Sequence, residues 1–198
     1  MVFNSGNYYI CNNVLPSNLI NNNMKYNQVD RDLFIDNDGN VYSIDRTVLL
    51  DIGEGVTELA VPDNVKSIAA EAGVDKDNLR LLRIPDSVMS IGEWAFSGCR
   101  MLQTLRMPHL IEDIPSGVFH ACDWLKYVRI PETVKTIGQG AFSDCKHLTD
   151  IRFAGVPEAI APLAFSECPN LSAIYIPRGH MGHFRKLLPW FDQQIIEE

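Results

Sequence analysis

Four cysteines stand 23 residues apart, at Cys99, Cys122, Cys145 and Cys168, and each has the same neighbours. A phenylalanine lies three positions before each, at Phe96, Phe119, Phe142 and Phe165, and a leucine three after, at Leu102, Leu125, Leu148 and Leu171. A fixed period of this length constrains the fold more than any single side chain. One copy cannot bury its apolar face alone, so neighbours stack into one continuous core, a solenoid. In register, the copies begin at Val61, Ile84, Met107, Ile130 and Phe153, and a sixth start at Ile176 runs into the tail. Proline follows every start but Phe153, at Pro62, Pro85, Pro108, Pro131 and Pro177. Lacking an N–H donor, it ends a strand and turns the chain.

Within a copy, Leu105-Arg106-Met107 alternates as a short strand does. Val88 with Ile91, and Val134 with Ile137, begin a second extended stretch that Gly92 and Gly138 end. Ala95–Phe96 and Ala141–Phe142 suggest a helical turn whose phenylalanine plugs the core. The copy at 61–83 is degenerate, with Gly73 and Lys76 at the Phe and Cys positions, as terminal repeats often are. Upstream, residues 41–50 read as paired strands. Asp36-Asn37-Asp38-Gly39 reads as a hairpin turn, since it lacks the alternating ligands and distal Glu of a calcium loop. Residues 1–30, rich in Asn, either cap the first open edge or are partly disordered. Residues 182–188 read as a short amphipathic capping helix, followed by a proline stop and aromatic plugs at Trp190 and Phe191. The expected organisation is therefore a flank over 1–60, repeats over 61–175 and a cap over 176–198.

The chain of 198 residues, 46% of them hydrophobic, suffices for one sizeable core. Its net charge of −8 argues against generic nucleic-acid binding. The acids are uneven: residues 1–60 hold eight against three bases, and residues 61–198 seventeen against fourteen. The repeats are thus nearly neutral, and a local basic stripe in them would not be swamped. No apolar run approaches the ~18 residues of a membrane span. Residues 1–13 lack the basic start and apolar stretch of a signal peptide, which fits a cytoplasmic protein or a chain whose export signal was removed. Equivalent positions of a solenoid stack in parallel with their Cβ vectors aligned, whereas a disulfide needs them turned toward each other. The cysteines are therefore expected to be buried free thiols. Zinc is disfavoured by the absence of C-x-x-C and of histidine at ligand spacing, and no cofactor motif is present.

The run Ile84-Pro85-Asp86-Ser87-Val88-Met89-Ser90-Ile91-Gly92-Glu93-Trp94-Ala95-Phe96-Ser97-Gly98-Cys99, continuing through Leu102 and Leu105 to Met107-Pro108, resembles the BspA-like, or Treponema-type, leucine-rich repeats. The match is close over 84–175 and loose over 41–83. The resemblance implies an α/β repeat, a right-handed solenoid with a parallel concave β-sheet. Helical turns on the convex side and the short C-terminal capping helix complete the expected fold. It further implies a non-enzymatic binding module, active in protein recognition or adhesion at a bacterial cell surface and therefore extracellular. An intracellular scaffold using the same face is the alternative. The family carries no catalytic residue that could be transferred.

Register also predicts what the concave sheet displays. One column reads Glu58, Leu81, Thr104, Tyr127, Asp150 and Ala173; the next reads Ala60, Arg83, Arg106, Arg129, Arg152 and Tyr175. Four successive arginines at about 5 Å spacing repel by ~0.8 kcal/mol per neighbouring pair in bulk water and by ~3 at an effective dielectric of 20. Something must offset that. One reading is internal pairing with Asp150, Glu132 or Asp86, with the arginine stems covering apolar surface. The other is a ligand site, Arg83, Arg106, Arg129 and Arg152 with Tyr127 and Tyr175, for an acidic protein segment or an anionic glycan. His180 and His183 lack a third ligand nearby in sequence. Ser97, Ser143 and Ser166 recur at a turn without an adjacent base, which favours local hydrogen bonding over nucleophilic catalysis.

Overall fold

The computed structural model describes residues 2–4, 7–11 and 32–198. Strands β1 (Val2–Asn4), β2 (Asn7–Cys11), β3 (Asp32–Ile35), β4 (Val41–Ser43) and β5 (Val48–Asp51) form an antiparallel meander. The turn between β3 and β4 is the Asp36–Gly39 stretch. Its Asp36 carboxylate accepts from the Asp38 and Asn40 backbone N–H groups, at 3.0 and 2.9 Å, and from Asn40 Nδ2 at 2.9 Å. Those oxygens are spent on the turn itself, as the hairpin reading requires. Of the capping segment expected over residues 1–30, β1 and β2 extend this meander, and residues 12–30 lie outside the described residues.

From β5 onward the pairing becomes parallel. The chain alternates between two faces, each copy giving one strand to each. The short-strand face runs from β5 through β7 (Ser67–Ile68), β9 (Ser90–Ile91), β11 (Asp113–Ile114), β13 (Thr136–Ile137) and β15 (Ala159–Ile160). The long-strand face comprises β6 (Glu58–Ala60), β8 (Leu81–Arg83), β10 (Thr104–Arg106), β12 (Tyr127–Ile130), β14 (Asp150–Phe153) and β16 (Ala173–Ile176). Pairing on it keeps the 23-residue register, with Leu82 opposite Leu59 and Leu105, and Val128 opposite Ile151. Because β5 and β6 already lie in these ladders, repeat geometry starts upstream of residue 61.

Between the faces the phenylalanines stack. Phe96, Phe119, Phe142 and Phe165 are buried, with successive ring centroids 5.6, 5.4 and 5.6 Å apart and planes within 7–21° of parallel. Phe153 and Phe184 close the stack edge-on, at 6.5 and 5.0 Å. Phe184 belongs to α1 (Met181–Leu187), the expected capping helix, which a one-turn 3-10 helix at Pro189–Phe191 follows. The plug of the cap is Phe184. Trp190, expected to plug the end, is 76% exposed, and Phe191 is only partly covered. The last core residue comes instead from β17 (Ile195–Glu197), a parallel strand added to β16 that buries Ile195.

The turns that carry the phenylalanines are not helical. Two positions four residues apart take left-handed backbone in each turn but the last, which has one: Glu71, Trp94, Gly117 and Gly140 at the first, and Asp75, Gly98, Ala121, Asp144 and Glu167 at the second. Each such residue interrupts right-handed helical geometry, so a regular turn of helix cannot form. Trp94 is the bulkiest occupant, and its ring lies over Gly117, where a Cβ would stand 2.2 Å from the indole.

The four repeat cysteines are free, as register predicted; Cys99, Cys122 and Cys145 are buried and Cys168 is partly covered. They do more than fill space. Each thiol donates to a carbonyl 26 residues earlier: Cys99 to Gly73 at 3.1 Å, Cys122 to Phe96 at 3.5 Å, Cys145 to Phe119 at 3.3 Å and Cys168 to Phe142 at 3.2 Å. At Gly73, Phe119 and Phe142 this supplies a donor to a turn carbonyl inside the stack, whereas the Phe96 carbonyl also accepts the Cys99 N–H at 3.4 Å. Burial pushes the Cys99 thiol up to about 12 and raises Cys122. The folded chain therefore holds these protons longer than the unfolded one. Stability from them is intact below about pH 8.5 and is lost as pH rises toward 12. In a Cys11→Ser background, Cys168 is expected to alkylate at least about ten-fold faster than the three buried thiols, read by mass spectrometry of the native protein.

Neither ladder is continuous. The long-strand face divides into β6–β8–β10 and β12–β14–β16–β17, and the short-strand face breaks between β9 and β11. Both breaks fall at one junction, between copies 84–106 and 107–129. A cause of the short-strand break is legible in the rungs. Ala69, Gly92, Gly138 and Ala161 each donate their N–H to the preceding copy, at 2.9, 2.8, 2.8 and 2.8 Å. The same register position at the junction is Pro115, which has no N–H to give.

Candidate functional site

The long-strand face positions the arginine column. Residues on either side of the inward-facing Leu82, Leu105, Val128 and Ile151 point outward by strand alternation. Pairing sets Arg83 opposite Arg106, Arg129 opposite Arg152, and Arg152 opposite Tyr175. Arg83, Arg106 and Arg129 are exposed and Arg152 is half-buried. Tyr127 begins β12 and is 45% exposed; Tyr175, half-buried, begins no strand but sits within β16.

The arginines differ in what holds them. Arg152 pairs with Glu198 at 2.8 Å, and its guanidinium lies 4.8 Å from the centre of the Tyr175 ring. Half-exposed pairs of this kind are worth ~0–1 kcal/mol. Among the described residues, Arg83, Arg106 and Arg129 make no ion pair. Two of the three carboxylates considered as internal partners, Asp86 and Asp150, are engaged elsewhere, and Glu132 makes no ion pair with these arginines among the described residues. Asp86 accepts the His109 backbone N–H at 2.8 Å and lies 3.2 Å from His109 Nδ1; those hydrogen bonds hold its carboxyl below the usual carboxylate range, with a smaller contribution from Arg106. Asp150 accepts the hydroxyl of Thr149.

Two further basic residues join this surface's neighbourhood. Arg80 and Lys126 immediately precede β8 and β12, are exposed, and make no ion pair among the described residues. Reading the column Thr57, Arg80, Gln103, Lys126, Thr149 and Ser172 in the same 23-residue register would have found them. Like charges held on neighbouring strands destabilise a sheet. Five unpaired cations near one face of a protein with net charge −8 are therefore a concentration against the overall composition.

His183 Nε2 donates to the Pro157 carbonyl at 2.7 Å. Among the described residues no group of three His, Cys, Asp or Glu is arranged to hold a metal. The Ser143 hydroxyl donates to the Gly140 carbonyl at 3.0 Å, and the Ser166 hydroxyl to Leu163 at 3.1 Å, the local turn bonding expected of them. His120 Nδ1 lies 2.8 Å from Ser143 Oγ. Ser143 has one hydroxyl proton for these two contacts: donated to Gly140, it leaves the imidazole nitrogen as the donor to Ser143 Oγ. No helix among the described residues is long and apolar enough to cross a membrane.

Comparison with known proteins agrees with this architecture. The family described as BspA type leucine rich repeat region matches residues 51–181 in six copies, about two thirds of the chain. A leucine rich cell surface protein from Faecalibacterium prausnitzii A2-165 superposes with a TM-score of 0.63 at 27% identity, over 81% of this chain and 41% of that one. The T. pallidum leucine rich repeat protein gives 0.59 at 26% identity, over 68% and 66%. The pneumococcal vaccine antigen PcpA gives 0.58 at 20% identity, over 81% and 46%, a likeness of fold alone. The chain thus spans about two fifths of the first of these proteins. No curated protein matches it.

Proposed function

Since this chain belongs to the BspA-type leucine-rich-repeat family, we propose that it is a non-enzymatic binding module whose long-strand face, the concave face of such solenoids, takes up an acidic protein segment. The observation that carries this reading is the arginine column, in which Arg83, Arg106 and Arg129 stand exposed without a carboxylate partner among the described residues. A guanidinium presents a planar fork of donors that matches a carboxylate bidentately, and a regular strand spacing offers one such fork per rung. Tyr127 adds amphipathic contact area beside the column. Within each of the pairs Arg83–Arg106 and Arg129–Arg152, a parallel ladder holds the arginine stems at the strand spacing, which lowers the cost of ordering them on binding. The cell-surface description of the F. prausnitzii protein favours adhesion outside the cell as the setting.

Poly-L-glutamate titrated against the protein tests this directly. Binding is expected at about 50 mM salt and at least ten-fold weaker at about 500 mM, where the screening length falls below the spacing of the charges. Net charge alone would make the protein repel this polymer, so absence of binding at low salt overturns the reading. Binding of heparin without poly-L-glutamate would assign the face to an anionic glycan instead.

A further inference from the structure

The break in the two sheets coincides with the middle of the arginine column. Lys135 donates its N–H to Glu112 at 2.6 Å, Glu158 to Lys135 at 2.8 Å and Met89 to Lys66 at 2.8 Å, but the equivalent bond from Glu112 to Met89 is missing. On the other face, Gln103 donates to Arg80, Thr149 to Lys126 and Ser172 to Thr149, all at 2.9 Å, whereas Lys126 makes no such bond to Gln103. The core registers the same opening. Leu105 is only half-buried, while its register mates Leu59, Leu82, Val128, Ile151 and Ile174 are at most 4% exposed.

The turns on the remaining side stay joined across this junction. Trp94, Phe96 and Gly98 donate their N–H groups to Ser116, Val118 and His120 at 3.0, 2.9 and 2.8 Å. The Trp94 ring meets His120 edge-on at 5.7 Å and covers Gly117. Trp124 donates its N–H to Arg100 at 3.0 Å, which carries the bonded side up to the corner before β12. Bonded along the turns to that corner and without ladder bonds on the two strand faces, the junction has the layout of a hinge with its axis in the turns. Trp94, held at φ 58, is packed at that axis.

We propose that the junction at Pro115 is a flexible joint between two solenoid blocks, and that an acidic chain on the basic face is gripped across it, between Arg106 and Arg129, and closes it. The second half rests on the reading of the basic face given above. Ladder bonds fix the spacing within each arginine pair, Arg83 with Arg106 and Arg129 with Arg152. No ladder bond fixes Arg106 against Arg129. Repulsion between these two cations favours an open joint. A carboxylate-bearing chain bridging them reverses that sign and favours the closed one. This differential affinity is what a ligand needs in order to shift a conformational equilibrium. Closure also covers the apolar surface that Leu105 now leaves partly exposed.

Residue-resolved hydrogen exchange by NMR on the full chain tests both halves. In the free protein, the Glu112 and Lys126 amides are expected to exchange at least about ten-fold faster than Lys135 and Thr149, after correction for intrinsic rates. Pro115→Gly, which restores the residue found at 92 and 138, is expected to slow Glu112 toward Lys135. Poly-L-glutamate is expected to slow Lys126 in the parent protein and not in Arg106→Glu/Arg129→Glu. Equal exchange at the four amides of the free protein overturns the joint whatever the ligand does. Binding of the polymer with Lys126 unchanged overturns the grip across the joint and leaves the basic-face reading standing. Failure of the polymer to bind sinks that reading and the grip together, and the free-protein comparison still decides the joint.

Discussion

Phe119→Ala lowers the unfolding free energy by about 3–5 kcal/mol, the range for emptying a phenylalanine site in a core that cannot collapse. The expectation follows from what surrounds the ring. Phe119 is fully buried between Phe96 and Phe142, at 5.6 and 5.4 Å, so its removal breaks two stacking contacts and leaves a void lined by aromatic faces. The backbone there is held on both sides, since Phe96 and Phe119 donate their N–H groups one copy forward, to Val118 and to Ala141, each at 2.9 Å. That rigidity prevents the neighbours from closing the gap. The position also sits beside the junction where both sheet ladders are interrupted. The aromatic stack and the turn bonds are what hold the two blocks together there. Urea unfolding should therefore show a larger loss for Phe119→Ala than for Phe165→Ala at the end of the stack, and a lower m-value if the two blocks begin to unfold separately. A loss below about 1 kcal/mol would mean that the phenylalanine column is not the core of this solenoid.

Much of this architecture was legible in the sequence because a repeat states each rule several times. The Phe–Cys–Leu spacing located the core, and the alternation around Leu105 located the outward columns. What escaped notice are features that occur once, or that depend on backbone conformation. Pro115 stands in the column of Gly92 and Gly138, yet its consequence appears only when the rung it fails to make is compared with its neighbours. The left-handed positions of the turns are spread over Glu, Trp, Asp, Ala and Gly, so no residue type announced them, and a helical turn was the natural expectation. The thiol-to-carbonyl bonds give the cysteines a polar role that their burial alone does not suggest. At the C-terminus, Trp190 looked like a plug by composition, but Ile195 fills that place by adding one more strand. For the basic face, the register fixed which arginines are neighbours. Which carboxylates were already committed, Asp86 to His109 and Glu198 to Arg152, required the side chains.

The reading of that face stands or falls on Arg106→Glu combined with Arg129→Glu. Both side chains are exposed and without an ion pair among the described residues, so the fold has little reason to need them. Each replaces a charge-assisted contact worth ~1.5–3 kcal/mol with a repulsive one. Together they should weaken poly-L-glutamate binding at low salt by more than about a hundred-fold. In the same variant each new glutamate faces an arginine across a rung, Arg83 and Arg152, so the midpoint of thermal unfolding should stay level or rise. The decisive measurement is a calorimetric titration of poly-L-glutamate into the parent and the double variant, with thermal melts of both. Loss of binding with stability retained is the predicted result. Undiminished binding by a variant that melts where the parent does would contradict the assignment of this face.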